Sequence, residues 1–322
     1  MDNLLEFMKR RAHPQSLLMS AGTIFAGTAA AVIRGNMEVL VASVCLLFAI
    51  FTQLASNFYH YYALLKRHSD SGGIQRLPSS RLRENEAELH ALYEGSTGAL
   101  LVSATLGLTL MTMSNNMWQS LLAGVVVYGL TWLITVYPKV YSSPWSLLIT
   151  FLLFGPVGVV CTSALQYQYE SGGALLKFYD YAPSLFIGPA MGLLACSHHL
   201  VMGYFQSYIA PGGEYRGMLR GKGSRVAAWS VGINGVIAFG LLVWMTLTLH
   251  FSEPLIAVVP GFIALCFNTY VALRMLGAGV GELRFLTMVT RMNIFLTGFL
   301  SFVLWWIIGL PDDSMRVIFP MG

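Results

Sequence analysis

Along this chain, apolar stretches of about twenty residues alternate with short polar breaks, and the alternation continues almost to the C-terminus. Nine such stretches can be marked, at approximately 16–33, 37–65, 91–113, 117–136, 145–166, 182–209, 226–250, 254–275 and 284–310. Each is long enough, as a helix, to cross a hydrocarbon core of about 30 Å. Ten-residue segments of alternating hydrophobicity are lacking, so the pattern predicts helices rather than a lipid-facing barrel. The first stretch lacks a small-x-small cleavage site and heads a series of nine, so it is expected to be a retained span rather than a removed leader. The expected architecture is an all-α integral membrane protein, one transmembrane domain over residues 1–322.

Composition supports this pattern. With 56% hydrophobic and 11% charged residues, the chain has too few charges to cover a water-facing globule of 322 residues. Charge placement then sets the expected orientation. Sixteen of the 19 Lys and Arg fall at the N-terminus, in the breaks after the second, fourth, sixth and eighth stretches, or early in the ninth, as Arg284 and Arg291 do; Arg34, Lys177 and Arg316 fall opposite. By the positive-inside rule the N-terminus is cytoplasmic and the C-terminus outside, in a membrane such as a bacterial inner membrane. The net charge of +4 therefore reports topology, and nucleic-acid binding is not expected. The cysteines Cys45, Cys161, Cys196 and Cys266 are dispersed among the spans without ligand spacing, so buried free thiols are expected.

Two longer breaks carry the remaining polar sequence. Residues 66–90 begin Gly/Ser/Pro-rich and continue as "RLRENEAELHALYEG", a helix-forming composition. Residues 210–225, "APGGEYRGMLRGKGSR", hold five glycines and four cations, without the spacing of a nucleotide-binding Gly-rich loop. Each break follows a span with a polar end: Gln53, Asn57 and His60 in the second, His198, His199 and Gln206 in the sixth. This four-span offset suggests two similar halves around a cavity.

"QLASNFYHYY", residues 53–62, resembles the Q-x-x-x-N-x-x-N-D segment of the UbiA superfamily of intramembrane prenyltransferases. "RRAHPQSLLMSAGTIFAGTA", residues 10–29, is similar to that family's R-P-x-T-L-P entrance to its first helix, and "ELRFLTMVTRMNIFLTGFLSFVLWWIIG" is similar to its last. The branch most resembled prenylates 1,4-dihydroxy-2-naphthoate in menaquinone biosynthesis. The resemblance implies nine helices around a central cavity, a cytoplasmic N-terminus, and Mg²⁺ held by two Asp-rich motifs if the activity is kept. Mg²⁺ suits this chemistry because a hard ion bound by carboxylates neutralises a leaving diphosphate.

This sequence departs from the family at those motifs. Where the first has N-D-x-x-D-x-x-x-x-x-D, the chain reads His60, Tyr61, Leu64 and Asp70; where the second has D-x-x-x-D, it reads Gln206 and Ala210, with Glu214 beyond. A lost transition-state stabiliser costs about 10² to 10³ in rate. The expected function is thus a divergent prenyltransferase-like protein, impaired in Mg²⁺-dependent transfer, that binds an isoprenoid, a quinone or a partner in the membrane. An active prenyltransferase of menaquinone biosynthesis is the alternative, and a secondary transporter a third.

Gln53 and Asn57, four apart, share a helix face suited either to a cavity wall or to bonds between helices. His60 and Tyr61 sit in an aromatic run that suits a quinone head or an interfacial belt. His198 and His199, about 100° apart on a helix, cannot readily face one metal. Asp70 with Arg76, Arg81 and Arg83 suits a diphosphate, with Asp70 the metal ligand if there is one, although the cations also follow from topology. Glu84, Glu86 and Glu88 offer either replacement carboxylates or a solvated helix face.

Overall fold

The computed structural model describes residues 6, 8, 12–35, 37–68, 79–114, 116–137, 140, 143–170, 182–209, 223–249, 251 and 253–308; at 67–68, 79–85, 168–170, 206–209 and 223–224 it describes the backbone alone. Within these residues nine helical spans are long and apolar enough to cross a membrane. They comprise α1 (Pro14–Val32), α2 (Val39–His68), α3 (Ser79–Met113), α4 (Met117–Val136), a broken fifth span of α5 (Pro144–Leu152) and α6 (Gly158–Glu170), then α7 (Ala182–Ile209), α8 (Gly223–Thr248), α9 (Pro254–Ala257) continued by α10 (Val259–Met275), and α11 (Val280–Ile308).

Most boundaries fall within a few residues of the apolar pattern, and the helices on either side of the first long break extend further than expected. The segment "RLRENEAELHALYEG" belongs to the opening of α3, which begins at Ser79, and α2 runs on to His68. Polar residues extend a helix past the apolar span because nothing in them stops it: the Gly and Pro of the break lie before Ser79.

The fifth and eighth spans break at proline. Leu153–Val157 forms a π-helical turn around Pro156, with Gly155 far from helical geometry at φ −111°, ψ −111°. Gly158 N–H bonds Gly155 and Leu153, and Thr23 Oγ1 on α1 lies 3.0 Å from the Phe154 carbonyl, so a neighbouring helix supplies a donor at the kink. Gly155 is needed there. A Cβ on it would stand 2.6 Å from the Gly188 carbonyl of α7. At the α9–α10 junction, fully buried Trp305 of α11 donates its indole N–H to the Ala257 carbonyl at 3.1 Å.

Packing is closest between α1 and α11. A Cβ on Gly298 would lie 2.0 Å from the Gly22 carbonyl, so this seam exists only because both residues lack side chains. The main apolar core joins α1, the fifth span, α7, α8 and α11 through residues such as Ala26, Val159, Met191, Leu242 and Ile294. A second joins α7, α8, α10 and α11, and a smaller third joins α1, α2 and α3 through Ile24, Val41, Cys45 and Leu110. The second half is also tied by a buried amide cluster: Asn268 donates to Ser197 Oγ (3.1 Å) and to the Val231 carbonyl (3.2 Å), and Asn293 donates to Asn268 Oδ1 (3.0 Å).

By contrast α4 buries little. Thr135 is its buried residue, and Leu122, Val125 and Trp132 face outward. The four cysteines are free thiols, but Cys266 is exposed on α10 rather than buried as expected. An apolar helix in a membrane can point a thiol at lipid as easily as at a core.

Candidate functional site

The loose placement of α4 leaves a cavity of about 550 Å³ between α1, α2, α3, α4 and the fifth span. Ser20, Thr52, Gln53, Tyr128 and Thr131 line it, together with apolar residues that include Ile24, Leu110, Met111, Leu121 and Leu165. Helix directions sort this lining. Ser20, Thr52, Gln53, Tyr128 and Thr131 sit towards the end where α1 begins, whereas the apolar Ile24, Leu110, Met111 and Leu165 dominate the other, where Ser120 and Thr162 are the hydroxyls. The described lining carries no Asp, Glu, Lys, Arg or His. The cavity is therefore amphiphilic in shape and uncharged.

Above its polar end, α2 clamps the start of α1. Ser20 Oγ donates to Gln53 Oε1 (3.3 Å), Gln53 Nε2 to Asn57 Oδ1 (3.1 Å), and Asn57 Nδ2 to both Ser16 Oγ and the Ala12 carbonyl (2.8 Å each). The i, i+4 spacing of Gln53 and Asn57 puts both on one face of α2, as the sequence predicts, and here that face serves as cavity wall and as helix glue together. Tyr61 lies one turn further on. Its hydroxyl bonds His13 Nε2, and the two rings stack at 5.3 Å. His13 has φ 45°, unusual outside glycine, and Pro14 follows it at the first turn of α1. This left-handed residue is held by Tyr61 on its ring and by Asn57 on the carbonyl of the residue before it.

The other expected residues are dispersed. His60 packs edge-on to the Tyr61 ring, next to an aromatic cluster in which Tyr59 meets Trp132 and Tyr62 meets Tyr93. His198 and His199 point to different helices: His198 Nδ1 pairs with Thr290 Oγ1 at 2.9 Å, and His199 Nε2 with Ser146 Oγ at 2.8 Å. Arg291, counted on the cytoplasmic side and placed early in the ninth span, is buried. Its Nε donates to His198 Nε2 (3.3 Å) and its Nη1 to Gln15 Oε1 (3.4 Å). Asp70, Arg76, Ala210 and Glu214 lie outside the described residues, as do the side chains of Arg81, Arg83, Glu84 and Gln206.

Mg²⁺ does not fit the residues seen at the first motif. Tyr61 and Leu64 stand where carboxylates are needed, His60 stands where the motif has Asn, and the Tyr61 hydroxyl is already engaged by His13. Among the described residues, no three His, Cys, Asp or Glu converge as a metal site. Glu86 is exposed and Glu88 half-buried, outside the cavity lining.

No protein-family description matches the sequence. No curated protein matches it either. A solved structure of digeranylgeranylglyceryl phosphate synthase in membranes does match, with a TM-score of 0.58 over 94% of this chain and 100% of that one. The chain has the fold of that membrane synthase. At 13% identity the likeness is one of fold, and it agrees with the UbiA-like arrangement of nine helices expected from the sequence.

Two features were missed in the sequence. The hydroxyls of Thr52, Ser103 and Tyr128, which meet across three helices, carry no motif. Neither does the Arg291–His198–Gln15 cluster, whose members are separated by up to 276 positions.

Proposed function

We propose that this chain is a divergent, prenyltransferase-like membrane protein that binds an isoprenoid between α1, α2, α3, α4 and the fifth span without carrying out ordinary Mg²⁺-dependent prenyl transfer. The cavity carries this reading. Its volume of about 550 Å³ and its largely apolar lining suit a branched hydrocarbon chain, whereas its uncharged walls offer nothing to a diphosphate. Burying several phosphate charges without a metal or cations is costly, and the first motif supplies Tyr61 in a hydrogen bond instead of a carboxylate.

The orientation follows from charge: the start of α1 and the polar end of the cavity face the cytoplasm of a bacterial cell, and the C-terminus is outside. An isoprenoid would enter from the bilayer beside α4, the least buried span.

The test is direct. Purified protein in liposomes is given Mg²⁺, a labelled prenyl diphosphate and 1,4-dihydroxy-2-naphthoate, and both bound lipid and prenylated product are measured. Retained isoprenoid without product above the protein-free control is expected. Turnover abolished by Asp70→Ala would overturn the proposal in favour of an active prenyltransferase.

A further inference from the structure

We infer that the cavity selects an isoprenoid with an uncharged hydroxyl head, held by its O–H on the phenol oxygen of Tyr128. This rests on the proposed isoprenoid binding and adds the head chemistry.

The inference follows from the direction of a hydrogen-bond chain. Thr52 Oγ1 lies 2.8 Å from the Phe48 carbonyl one turn before it. Thr52 Oγ1 also lies 2.6 Å from Ser103 Oγ, and Ser103 Oγ lies 2.8 Å from the Tyr128 hydroxyl. Each hydroxyl has one proton to give. If Thr52 gives its proton to the Phe48 carbonyl, which can only accept, Ser103 must donate to Thr52 and Tyr128 must donate to Ser103. All three contacts are then hydrogen bonds. In the opposite direction Thr52 would donate to Ser103 and Ser103 to Tyr128, and the contact with Phe48 would be lost. The first arrangement makes one bond more in an apolar setting, where each bond counts.

The chain therefore ends at a Tyr128 oxygen whose proton is committed inward and whose lone pairs remain to accept. Tyr128 lines the polar end of the cavity with Thr131, Gln53 and Ser20, and the apolar end lies beyond. From Thr131 to Ser120 the lining runs along α4 for about 16 Å, at about 1.5 Å per residue, so a chain can extend away from the head. A head that donates, an alcohol or the hydroxyl of a quinol, completes the chain. An ether or a quinone carbonyl, which only accepts, does not, and a diphosphate would bring charge to walls that carry none.

Binding to the full-length protein in nanodiscs tests this with a C20 prenyl alcohol, its methyl ether, its diphosphate, and a prenylated quinol with its quinone. The alcohol is expected to bind about tenfold more tightly than the ether, and the quinol more tightly than the quinone. Tyr128→Phe should lower alcohol affinity about tenfold and leave the ether unchanged; Ser120→Ala, which removes an unpartnered hydroxyl of the lining, should lower it less, and Ser230→Ala, outside the lining, should change neither. Gly124→Leu places a side chain where a Cβ meets nothing within 4 Å and should expel every ligand.

Equal affinities for alcohol and ether, a diphosphate that binds most tightly, or an effect of Ser120→Ala without one of Tyr128→Phe would overturn the hydroxyl assignment while leaving isoprenoid binding intact. Prenyl lipids that bind equally well to Gly124→Leu, or not at all to the parent, would overturn the proposed function itself. An unchanged melting temperature of Tyr128→Phe separates lost binding from lost folding.

Discussion

Gly298→Ala tests the α1–α11 seam quantitatively. The added Cβ would stand 2.0 Å from the Gly22 carbonyl, whereas ordinary contact begins near 3.4 Å, so the helices must part locally by about 1.4 Å. No rotamer relieves this, because a Cβ has no dihedral of its own and the atom it meets is backbone. A gap approaching 1 Å forfeits up to half of a contact worth about 0.1–0.2 kcal/mol, so every ten atom pairs opened cost about 0.5–1 kcal/mol at most. The expected loss is about 2–3 kcal/mol, in the range of overpacked cores.

Gly22→Ala meets the Ile294 carbonyl at 2.6 Å and requires a smaller opening of the same seam. The double variant should therefore cost less than the sum of the two, by about 0.5 kcal/mol or more. Gly98→Ala, where a Cβ meets nothing within 4 Å, is the control and should be neutral or slightly stabilising. The assay is the unfolding midpoint in mixed micelles, followed by tryptophan fluorescence. A Gly298→Ala protein as stable as Gly98→Ala, or strict additivity with Gly22→Ala, would refute the backbone-contact reasoning.

Three further outcomes follow from the polar contacts. Asn57→Leu removes bonds to Ser16, Ala12 and Gln53 and should cost about 2 kcal/mol at roughly 0.6 kcal/mol per intramembrane bond, read as a lower midpoint in the same unfolding assay. Asn268→Ala should lose a similar amount by that measurement, as it breaks bonds to Ser197, Val231 and Asn293, although none of these residues lines the cavity. Glu282→Gln breaks the 2.6 Å pair with Arg274 between α10 and α11, but the Arg274 side chain is 56% exposed, so the change should stay within about 1 kcal/mol and shrink further at high salt.

The spans were legible because lipid imposes a single rule, that every backbone polar group be satisfied within a helix, and apolar length reports it directly. Met117–Val136 and Ala182–Ile209 coincide with the apolar pattern to the residue. The kinks at Pro156 and Pro260 were present as prolines, but the compensating donors, Thr23 and Trp305, come from other helices and leave no local trace. The same limit applies at the site. Spacing alone placed Gln53 beside Asn57, since four residues make one turn, whereas the pairing of Tyr61 with His13 joins positions 48 apart and needed the folded bundle. Arg291 shows what a charge count leaves out: it places the residue on one side of the membrane and says nothing of its burial against His198 and Gln15. The amphiphilic cavity was hidden for another reason. It is made by what α4 does not touch, and a lipid-exposed helix and a cavity wall have the same apolar sequence.

The most direct test of the central claim is the affinity of full-length protein for a prenyl diphosphate with Mg²⁺ and with the metal removed by chelation. If uncharged walls and a hydrogen-bonded Tyr61 have replaced the metal site, binding is weak in both conditions and the two dissociation constants agree within about twofold. Tightening by Mg²⁺ of about tenfold or more would show that metal and diphosphate are held together and would contradict the account.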